Sequence, residues 1–398
     1  MVLSFLEPEP NKQDNQSMAE SVTRHAQNPS DSNYELLLCG IDTLDIGLFV
    51  KWVRDWKAMA EYFEAGKEQA QKDGGYLDFT ADGREFLHLP IGKAPNYRFH
   101  IQFPEYHLYI SITREASTSP NLYVSLNSET LWRLGIQGAV DIVRNDIECM
   151  GGLIEKYLPS RCDFCVDFKM PMGITEEFLK IHRVSRSIAN TSIKSGECLE
   201  TYYLGSPKAP IRLRIYDKGK QVLKKGKLWF LDLWGTEDIQ DIWRVEYQLR
   251  RSALRQFNIY TLDDLKDKCN GIWRYLTNDW FSLRIPDNEK KERCMIHPWW
   301  IQLQECADKF GPTMEVQRSF DALKIPAPTW YVYHIAGCLP SFAARCGITD
   351  MENALDLLMS KVKLHWSNKS FEREFLKRAI KLGLATEKFD EADYGTEE

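Results

Sequence analysis

The stretch IRLRIYDK, residues 211–218, alternates strictly between apolar and polar side chains. A period of two with β-branched residues on the apolar side predicts a half-buried β-strand. Its polar side gathers one tyrosine among three cations: Arg212, Arg214, Tyr216 and Lys218. An ordinary edge strand with its basic side in water shows the same alternation. The meaning of this face therefore depends on the strands beside it.

Two further stretches share this design. In RCDFCVDF, residues 161–168, and in WRVEYQLR, residues 243–250, aromatic and aliphatic side chains alternate with charged ones. If the three strands pair in one sheet, their common polar face gathers three carboxylates, Asp163, Asp167 and Glu246. Carboxylate oxygens are the ligands that Mg²⁺ and Mn²⁺ prefer, so we predict a divalent-metal site here. Asp163 and Asp167 are about 13 Å apart along a strand, which leaves open which of them contacts the ion directly.

A tyrosine in such surroundings is a candidate nucleophile. A free phenol has a pKa of roughly 10 and is almost entirely protonated at neutral pH. Stabilisation of the phenolate by a divalent cation, or by the neighbouring arginines and lysine, would lower this pKa and activate Tyr216. Tyr203, on the preceding predicted strand, is the alternative nucleophile, and base stacking or a structural role are its other possible uses.

The composition is that of an ordinary globular protein. A formal net charge of −6 over 398 residues argues against a uniformly basic nucleic-acid-binding surface. No apolar run approaches the roughly 20 residues that a membrane span needs, and the polar N-terminus shows no secretory pattern. We therefore expect a cytoplasmic protein without membrane contact, in which residues 1–33 form a disordered leader. The ten cysteines lack framework spacing, which favours free thiols.

Positive charge concentrates in one segment. Eight lysines and arginines lie between residues 208 and 227, against the single acid Asp217. A solvated hairpin would account for such a patch, but within an acidic chain it favours local contacts with phosphate. We predict that DNA is contacted by Arg212, Lys208, Lys220, Lys224, Arg244 and Tyr203.

Alternation and turn residues predict further strands at 34–48, 97–103, 108–113, 121–126 and 200–204, with a hairpin turn at 205–208. Helical spacing occurs at 49–68, 139–157 and 174–184, and it dominates after residue 252. A mobile basic segment is expected to lead into the strand at 243. These patterns predict an α+β fold, in which an antiparallel β-sheet core has flanking helices and a helical C-terminal region.

These motifs resemble a known family, the replication initiation factors of rolling-circle plasmids and filamentous phages, whose relatives include some conjugative relaxases. The resemblance is carried by R-x-D-x-x-x-D at 161–167, by Y-x-G-S leading to R-x-Y-D/N-K between 203 and 218, and by W-R-x-E at 243–246. It covers residues 160–250 closely and residues 40–300 loosely.

The resemblance implies a metal-dependent, site-specific DNA nickase and strand transferase. Its tyrosine, here Tyr216, would attack a phosphodiester at the replication origin and form a 5′-phosphotyrosyl link with a free 3′-hydroxyl that primes synthesis. Lys218 would steady the scissile phosphate. The acidic residues would hold Mg²⁺ or Mn²⁺, and the implied site comprises Tyr216, Lys218, Arg214, Asp163, Asp167 and Glu246.

The resemblance also implies an organisation and partners. A nicking and joining domain would span residues 34–300, followed by a helical region at 301–386 and an acidic tail at 387–398. The implied partners are origin DNA with an exposed single strand, a host helicase and a second copy of the chain. Two alternatives stay open: a non-catalytic DNA-binding regulator of a phage or plasmid, and a conjugative relaxase acting at a transfer origin.

Overall fold

The computed structural model describes residues 34–116, 118–171, 173–319, 328–367 and 369–381. The chain divides into two compact units, one ending at Ala322 and the other beginning at Leu323. The expected leader at 1–33 and the acidic tail at 387–398 lie outside the described residues. None of the described helices is both long and apolar enough to cross a bilayer.

The first unit is built on a large antiparallel sheet. In the described residues its eleven strands are β1 (Glu35–Trp52), β2 (Tyr76–Phe79), β3 (Glu85–Leu89), β4 (Tyr97–Gln102), β5 (Tyr106–Ser111), β6 (Leu122–Leu126), β7 (Gly152–Lys169), β9 (Asn190–Ser195), β10 (Cys198–Leu204), β11 (Ile211–Asp217) and β12 (Ile242–Arg250). Their spatial order is β2-β3-β4-β5-β6-β1-β7-β12-β11-β10-β9. Two short strands, β8 (Arg183–Ser185) and β13 (Phe281–Leu283), pair separately.

Helices occupy the connections and the chain after β12. Those of the first unit are α1 (Trp56–Asp73), α2 (Ser128–Cys149), α3 (Glu176–His182), α4 (Lys218–Lys225), α5 (Phe230–Trp234), α6 (Arg251–Gln256), α7 (Leu262–Tyr275) and α8 (Pro298–Glu305). A π-helical turn, Leu276–Trp280, follows α7, and 3₁₀ turns lie at Lys291–Arg293 and Cys306–Phe310. The second unit contains α9 (Pro328–Cys346), α10 (Met351–Trp366) and α11 (Phe371–Lys381).

One face of the sheet packs against α1, α7 and the 3₁₀ turn at Cys306–Phe310 and forms the core. Phe164 of β7 lies 5.4 Å from Phe310, ring centre to ring centre, and Tyr247 of β12 lies 5.6 Å from Trp273 of α7. At the other end of the same face, Phe99 of β4 lies 5.6 Å from Phe63 of α1. Because Phe310 belongs to this core, the sheet unit continues beyond the boundary expected at residue 300. The opposite face of the sheet carries the polar side chains.

The α+β prediction is confirmed, including the antiparallel sheet, its flanking helices and the helical C-terminal region. The predicted hairpin is also present, since β10 and β11 pair with Tyr203 opposite Arg214. The strands expected at 97–103, 108–113 and 121–126 correspond to β4, β5 and β6. The alternation of apolar and polar residues was sufficient to predict these strands, because each strand buries one side only.

Three local expectations were wrong. Residues 152–157 belong to β7 and not to a helix, because Gly151, with φ of 86°, ends the preceding helix and β1 continues far enough to pair with Gly152. Residues 49–52 are the end of β1, and the helix begins at Trp56 after its N-cap Asp55. The segment before β12 contains two ordered helices, and Asp217 caps the first of them by accepting from the Lys220 amide at 2.8 Å.

Phe164 tests the packing of the helices on the sheet. Its side chain is fully buried, so Phe164→Ala should lower the free energy of unfolding by about 3–5 kcal/mol through lost contacts and the cavity left behind. Ile188→Ala is the control, because Ile188 is 90% exposed and its truncation should change stability by less than about 0.5 kcal/mol. Urea titrations followed by tryptophan fluorescence measure both, and equal midpoints for the two variants would contradict this packing.

Candidate active site

The register of three central strands brings the predicted site residues onto one face. In β11 and β12, Arg214 lies opposite Glu246 and Tyr216 opposite Arg244. In β12 and β7, Arg244 lies opposite Asp167. Residues that are paired directly across antiparallel strands project from the same face of the sheet. The prediction that the three alternating strands share one sheet and one polar face is therefore confirmed.

A line of alternating acids and bases crosses this face. The Tyr216 hydroxyl donates to Oε2 of Glu246 at 2.9 Å, and the Arg214 guanidinium contacts Oε1 of the same carboxylate. Nη2 of Arg214 also lies 3.7 Å from Oδ2 of Asp163. Nε of Arg161 donates to Oδ1 of Asp163 at 2.9 Å. The phenol is thus linked to two carboxylates and two guanidiniums in a continuous row.

Only part of this row reaches solvent. Tyr216 is 5% exposed, and Glu246 and Asp163 are fully buried, whereas the Arg214 side chain is 27% exposed. Burial raises the pKa of Tyr216 and that of Asp163. The expectation that cations hold the Tyr216 pKa low is not met here, because loss of hydration outweighs the arginines. The phenol is therefore a protonated hydrogen-bond donor in this structure.

A second charged cluster lies deeper under α4 and α5. Arg244 is fully buried; its Nη2 donates to Asp167 at 2.8 Å and its Nη1 lies 2.7 Å from Asp42. The indole of Trp234 donates to Asp167 at 2.8 Å, and that of Trp132 donates to Asp42 at 2.9 Å. Arg244 was predicted to contact DNA, and the structure corrects this, because its guanidinium is enclosed between two carboxylates and has no exposed surface.

The carboxylates that were predicted to bind a metal divide between the two clusters. Asp163 and Glu246 flank Arg214, whereas both oxygens of Asp167 are hydrogen-bonded to Arg244 and Trp234. In the part of the chain that the structure describes, no group of three or more His, Cys, Asp or Glu residues is arranged to hold a metal ion. Guanidiniums neutralise these carboxylates instead. The predicted three-carboxylate ligand set is therefore not assembled in this structure.

Lys218 lies at the start of α4 and is almost completely buried. Its Nζ donates to Gln221 at 2.9 Å and lies 4.1 Å from the ring centre of Phe230 and 5.9 Å from that of Tyr216. Burial, together with the nearby Arg244, lowers the pKa of Lys218 to about 7. This ammonium therefore lies next to the tyrosine, as predicted, but gives up its proton far more easily than an exposed lysine.

The other predicted DNA contacts lie at the surface. Tyr203 of β10 is half-buried on the polar face, with the Arg212 guanidinium 4.0 Å above its ring centre. Lys208 is exposed in the turn of the hairpin, and Lys220 and Lys224 are exposed on α4. These five side chains could reach a ligand that lies across the hairpin without any change in the fold.

Sequence reasoning missed Asp42 and the two tryptophans that complete the deeper cluster. One signal was available, because Asp42 and Asp45 interrupt the otherwise apolar stretch LLLCGIDTLDIGLFV of β1. Asp45 is 5% exposed and accepts hydrogen bonds from Tyr123 and Ser125, each at 2.7 Å. A carboxylate within an apolar strand requires such partners. The identity of the partners, 78 to 202 residues away, was not available from that pattern.

Comparisons with known proteins add one likeness. No protein-family model matches the chain, and no curated protein matches it. Among solved structures, the chain is similar to a rolling circle replication initiator protein from Geobacillus stearothermophilus, with 16% identity and a TM-score of 0.42. The match covers 72% of this chain and 100% of the other. At this level of likeness the role of the chain has to be argued from its own residues.

Lys218 predicts a pH dependence of stability. An unfolded lysine has a pKa of about 10.4, so between about pH 7 and pH 10 the unfolded chain keeps a proton that the folded chain has released. The free energy of unfolding should therefore gain a contribution as the pH rises through this window, up to about 1.4 kcal/mol per pKa unit. Below pH 7 the cost of burying the charged ammonium is fully present.

Lys218→Met should remove this contribution, so that its stability differs from the parent by an amount that changes with pH. Lys220→Met is the matched control, because Lys220 lies exposed on the same helix. Denaturant titrations of the three proteins at pH 6, 7, 8 and 9 make the comparison. A Lys218→Met curve that runs parallel to the parent over this range would show that Lys218 titrates normally.

Proposed function

We propose that the protein is a DNA nickase and strand transferase that initiates rolling-circle replication, with Tyr216 as its nucleophile. The observation that carries the proposal is the hydrogen bond from the Tyr216 hydroxyl to Glu246, 2.9 Å long. A hydroxyl nucleophile needs a base within such reach and a cation for the phosphate it attacks. Glu246 and Arg214 have these two properties, and the motifs of the chain resemble those of replication initiators.

In the proposed reaction the Tyr216 oxygen bonds to the phosphorus of the scissile phosphodiester, and the bond from that phosphorus to the 3′-oxygen breaks. The phenolic proton passes to Glu246, the leaving 3′-oxygen takes a proton from water to become the free 3′-hydroxyl, and Glu246 then returns its proton to solvent. The products are a 5′-phosphotyrosyl link and a primer end. Attack by a 3′-hydroxyl on the phosphotyrosine reverses these steps and joins the strand. No atom is gained or lost in either direction.

We propose that Arg214 couples DNA binding to activation of the tyrosine. Arg214 is more exposed than either Glu246, whose carboxylate its guanidinium contacts, or Tyr216. A phosphate is a strong bidentate partner for arginine. Transfer of Arg214 from Glu246 to the scissile phosphate would free the carboxylate to accept the phenolic proton. The same movement would uncover Tyr216, which Arg214 partly shields.

The exposed cations support binding of origin DNA across the hairpin. Arg212, Lys208, Lys220 and Lys224 would contact backbone phosphates, and Lys218, beside the nucleophile, would steady the scissile one. A requirement for Mg²⁺ or Mn²⁺ stays a prediction. Such an ion would stabilise negative charge on the phosphate. The carboxylates expected to bind it are paired with arginines in this structure. Nicking in EDTA, in Mg²⁺ and in Mn²⁺ tests this requirement.

The remaining expectations also stay proposals. A host helicase and a second copy of the chain rest on the family resemblance, and a cytoplasmic location rests on the composition of the sequence. A conjugative relaxase would use the same residues on a transfer origin. A non-catalytic regulator would need the cationic surface but no carboxylate beside a tyrosine, so the pairing of Tyr216 with Glu246 favours an enzyme.

Tyr203 is the second candidate nucleophile. Its ring lies on the same face and is more exposed than Tyr216. Arg212, however, lies above that ring. Among the described residues, the Tyr203 hydroxyl donates to no carboxylate. We therefore assign Tyr203 to DNA contact and Tyr216 to the chemistry.

A nicking assay on supercoiled plasmid carrying the replicon's own origin tests this assignment. The parent protein should convert it to open circles with protein covalently attached, and Tyr216→Phe should abolish both products. Tyr203→Phe should keep the covalent product, because its aromatic ring is retained. Cleavage that survives in Tyr216→Phe and disappears in Tyr203→Phe would reverse the two roles.

Glu246→Gln tests the proposed base. The amide still accepts the hydrogen bond from Tyr216 but does not take its proton, so the nicking rate should fall about 10²- to 10⁴-fold. In a plot of nicking rate against pH, the rise on the acid side should also disappear in Glu246→Gln. Asp146→Asn is the matched control, because Asp146 is likewise a buried carboxylate that accepts from a tyrosine hydroxyl, that of Tyr106 at 2.8 Å, but is no part of the proposed site. An unchanged pH profile in Glu246→Gln would assign Glu246 a structural role.

A further inference from the structure

The polar face that carries Tyr216 continues across the other half of the sheet. Asp45 of β1 lies opposite Arg161 of β7 and opposite Ser125 of β6. Tyr123 of β6 in turn lies opposite Tyr109 of β5. His100 of β4 lies opposite Tyr109. Directly paired residues share a face, so this face is continuous from β11 to β4. Helix α1 packs on the opposite face, through Phe63 and Phe99.

Aromatic rings dominate this half of the face. His100 stacks on Tyr109, with ring centres 4.2 Å apart and planes inclined by 25°. Nε2 of His100 lies 3.0 Å from Nδ1 of His107. The Lys93 ammonium lies 3.6 Å from the ring centre of Tyr123 and 4.9 Å from that of Tyr109. We call these residues, Lys93, His100, His107, Tyr109 and Tyr123, the aromatic platform; all five are half-buried and partly open to solvent.

The charge of the platform suits a nucleic-acid strand, which carries both bases that can stack and phosphates that pair with a cation. Burial lowers the pKa of His100 to about 4 and also lowers that of His107, so both rings are neutral at neutral pH. Asp45, the nearest carboxylate, already accepts from Tyr123 and Ser125. Uncharged rings next to one ammonium provide stacking surfaces for bases and a contact for a phosphate.

The position of the platform relates it to the candidate active site. Strand β5 is five strands from β11 in the sheet order, a separation of about 24 Å at the usual strand spacing. Arg161 of β7, with a side chain 29% exposed, lies between the two on the same face, and Arg214, 27% exposed, lies on β11 beside Tyr216. A single strand whose phosphate sits at Tyr216 could follow this row of cations towards β5 without leaving the face.

We propose that the aromatic platform binds the single-stranded DNA that flanks the scissile phosphate, with bases stacked on His100 and Tyr109 and a phosphate paired with Lys93. This inference rests on the proposed nicking function and names a binding site for its substrate. It assigns residues 93–123 a role in holding the strand, whereas the chemistry remains at Tyr216.

Fluorescence anisotropy with a 3′-fluorescein-labelled oligo(dT) of 20 nucleotides tests the platform. The full-length chain carries Tyr216→Phe throughout, so that cleavage does not interfere. Tyr109→Ala should weaken binding about 10-fold without changing its salt dependence, because it removes stacking. Lys93→Met should weaken binding and reduce the slope of log affinity against log salt by about one, because it removes a phosphate contact.

Three controls make the result specific. Tyr62→Ala removes a 44% exposed tyrosine on α1, over the opposite face, and should bind oligo(dT) like the parent. Tyr109→Phe keeps the ring and should keep the affinity, which separates stacking from misfolding. A 20-base-pair duplex, whose bases are not free to stack, should bind Tyr109→Ala and the parent equally.

The outcomes separate this inference from the proposed function. Unchanged oligo(dT) affinity and salt slope in both Tyr109→Ala and Lys93→Met would overturn the platform, and nicking by the protein with native Tyr216 would still stand. If binding depends on the platform but the protein with native Tyr216 does not nick DNA, the platform proposal would stand and the nickase proposal would be wrong. Loss of affinity in Tyr109→Ala and Tyr109→Phe alike would assign Tyr109 to folding and overturn its stacking role.

Discussion

The register between β7, β12 and β11 is the constraint on which the rest of the molecule depends. A slip of one residue would exchange the two faces of a strand and move its charged side chains into the core. Phe164 against Phe310 and Tyr247 against Trp273 hold the register from the apolar side. The Asp167–Arg244 and Glu246–Arg214 pairs satisfy the polar side. Since each of these contacts requires the same alignment, the sheet that forms the core also assembles the candidate site.

The two arginines opposite these carboxylates differ in one property, their access to solvent. Arg244 is enclosed by Asp167, Asp42 and the α5 segment, and its removal would leave the fully buried Asp167 without a cation, which is costly. Arg214 makes the same kind of contact but retains exposed surface. An arginine that is partly hydrated can exchange a carboxylate for a phosphate at low cost. The deeper cluster therefore specifies the structure, and the outer one is suited to chemistry.

Burial has opposite consequences for the two groups next to the proposed reaction. It raises the pKa of Tyr216, which keeps the phenol protonated, and it lowers that of Lys218 to about 7. Both shifts follow from the cost of holding a charge away from water. If the proposed nicking function holds, a site in this condition would be inactive until its hydration or its charge changed. The proposed transfer of Arg214 from Glu246 to a phosphate would be such a change, and it would occur only when DNA is bound.

The sequence alone determined the alternating strands β4, β5, β6, β10, β11 and β12, their apolar and polar sides, and the α+β fold, because alternation is a local property of an extended backbone. It also brought Tyr216, Arg214 and Glu246 to a common face, since the strands that carry them share one pattern. The tertiary structure alone decided which of these side chains are buried, that Arg244 belongs to a structural cluster, and that Asp167 is occupied by Arg244 and Trp234. It also decided the extent of the polar face, which reaches His100 on β4. Partners such as Asp42 and Arg244 are about two hundred residues apart, and no periodicity in the chain encodes a contact over that distance.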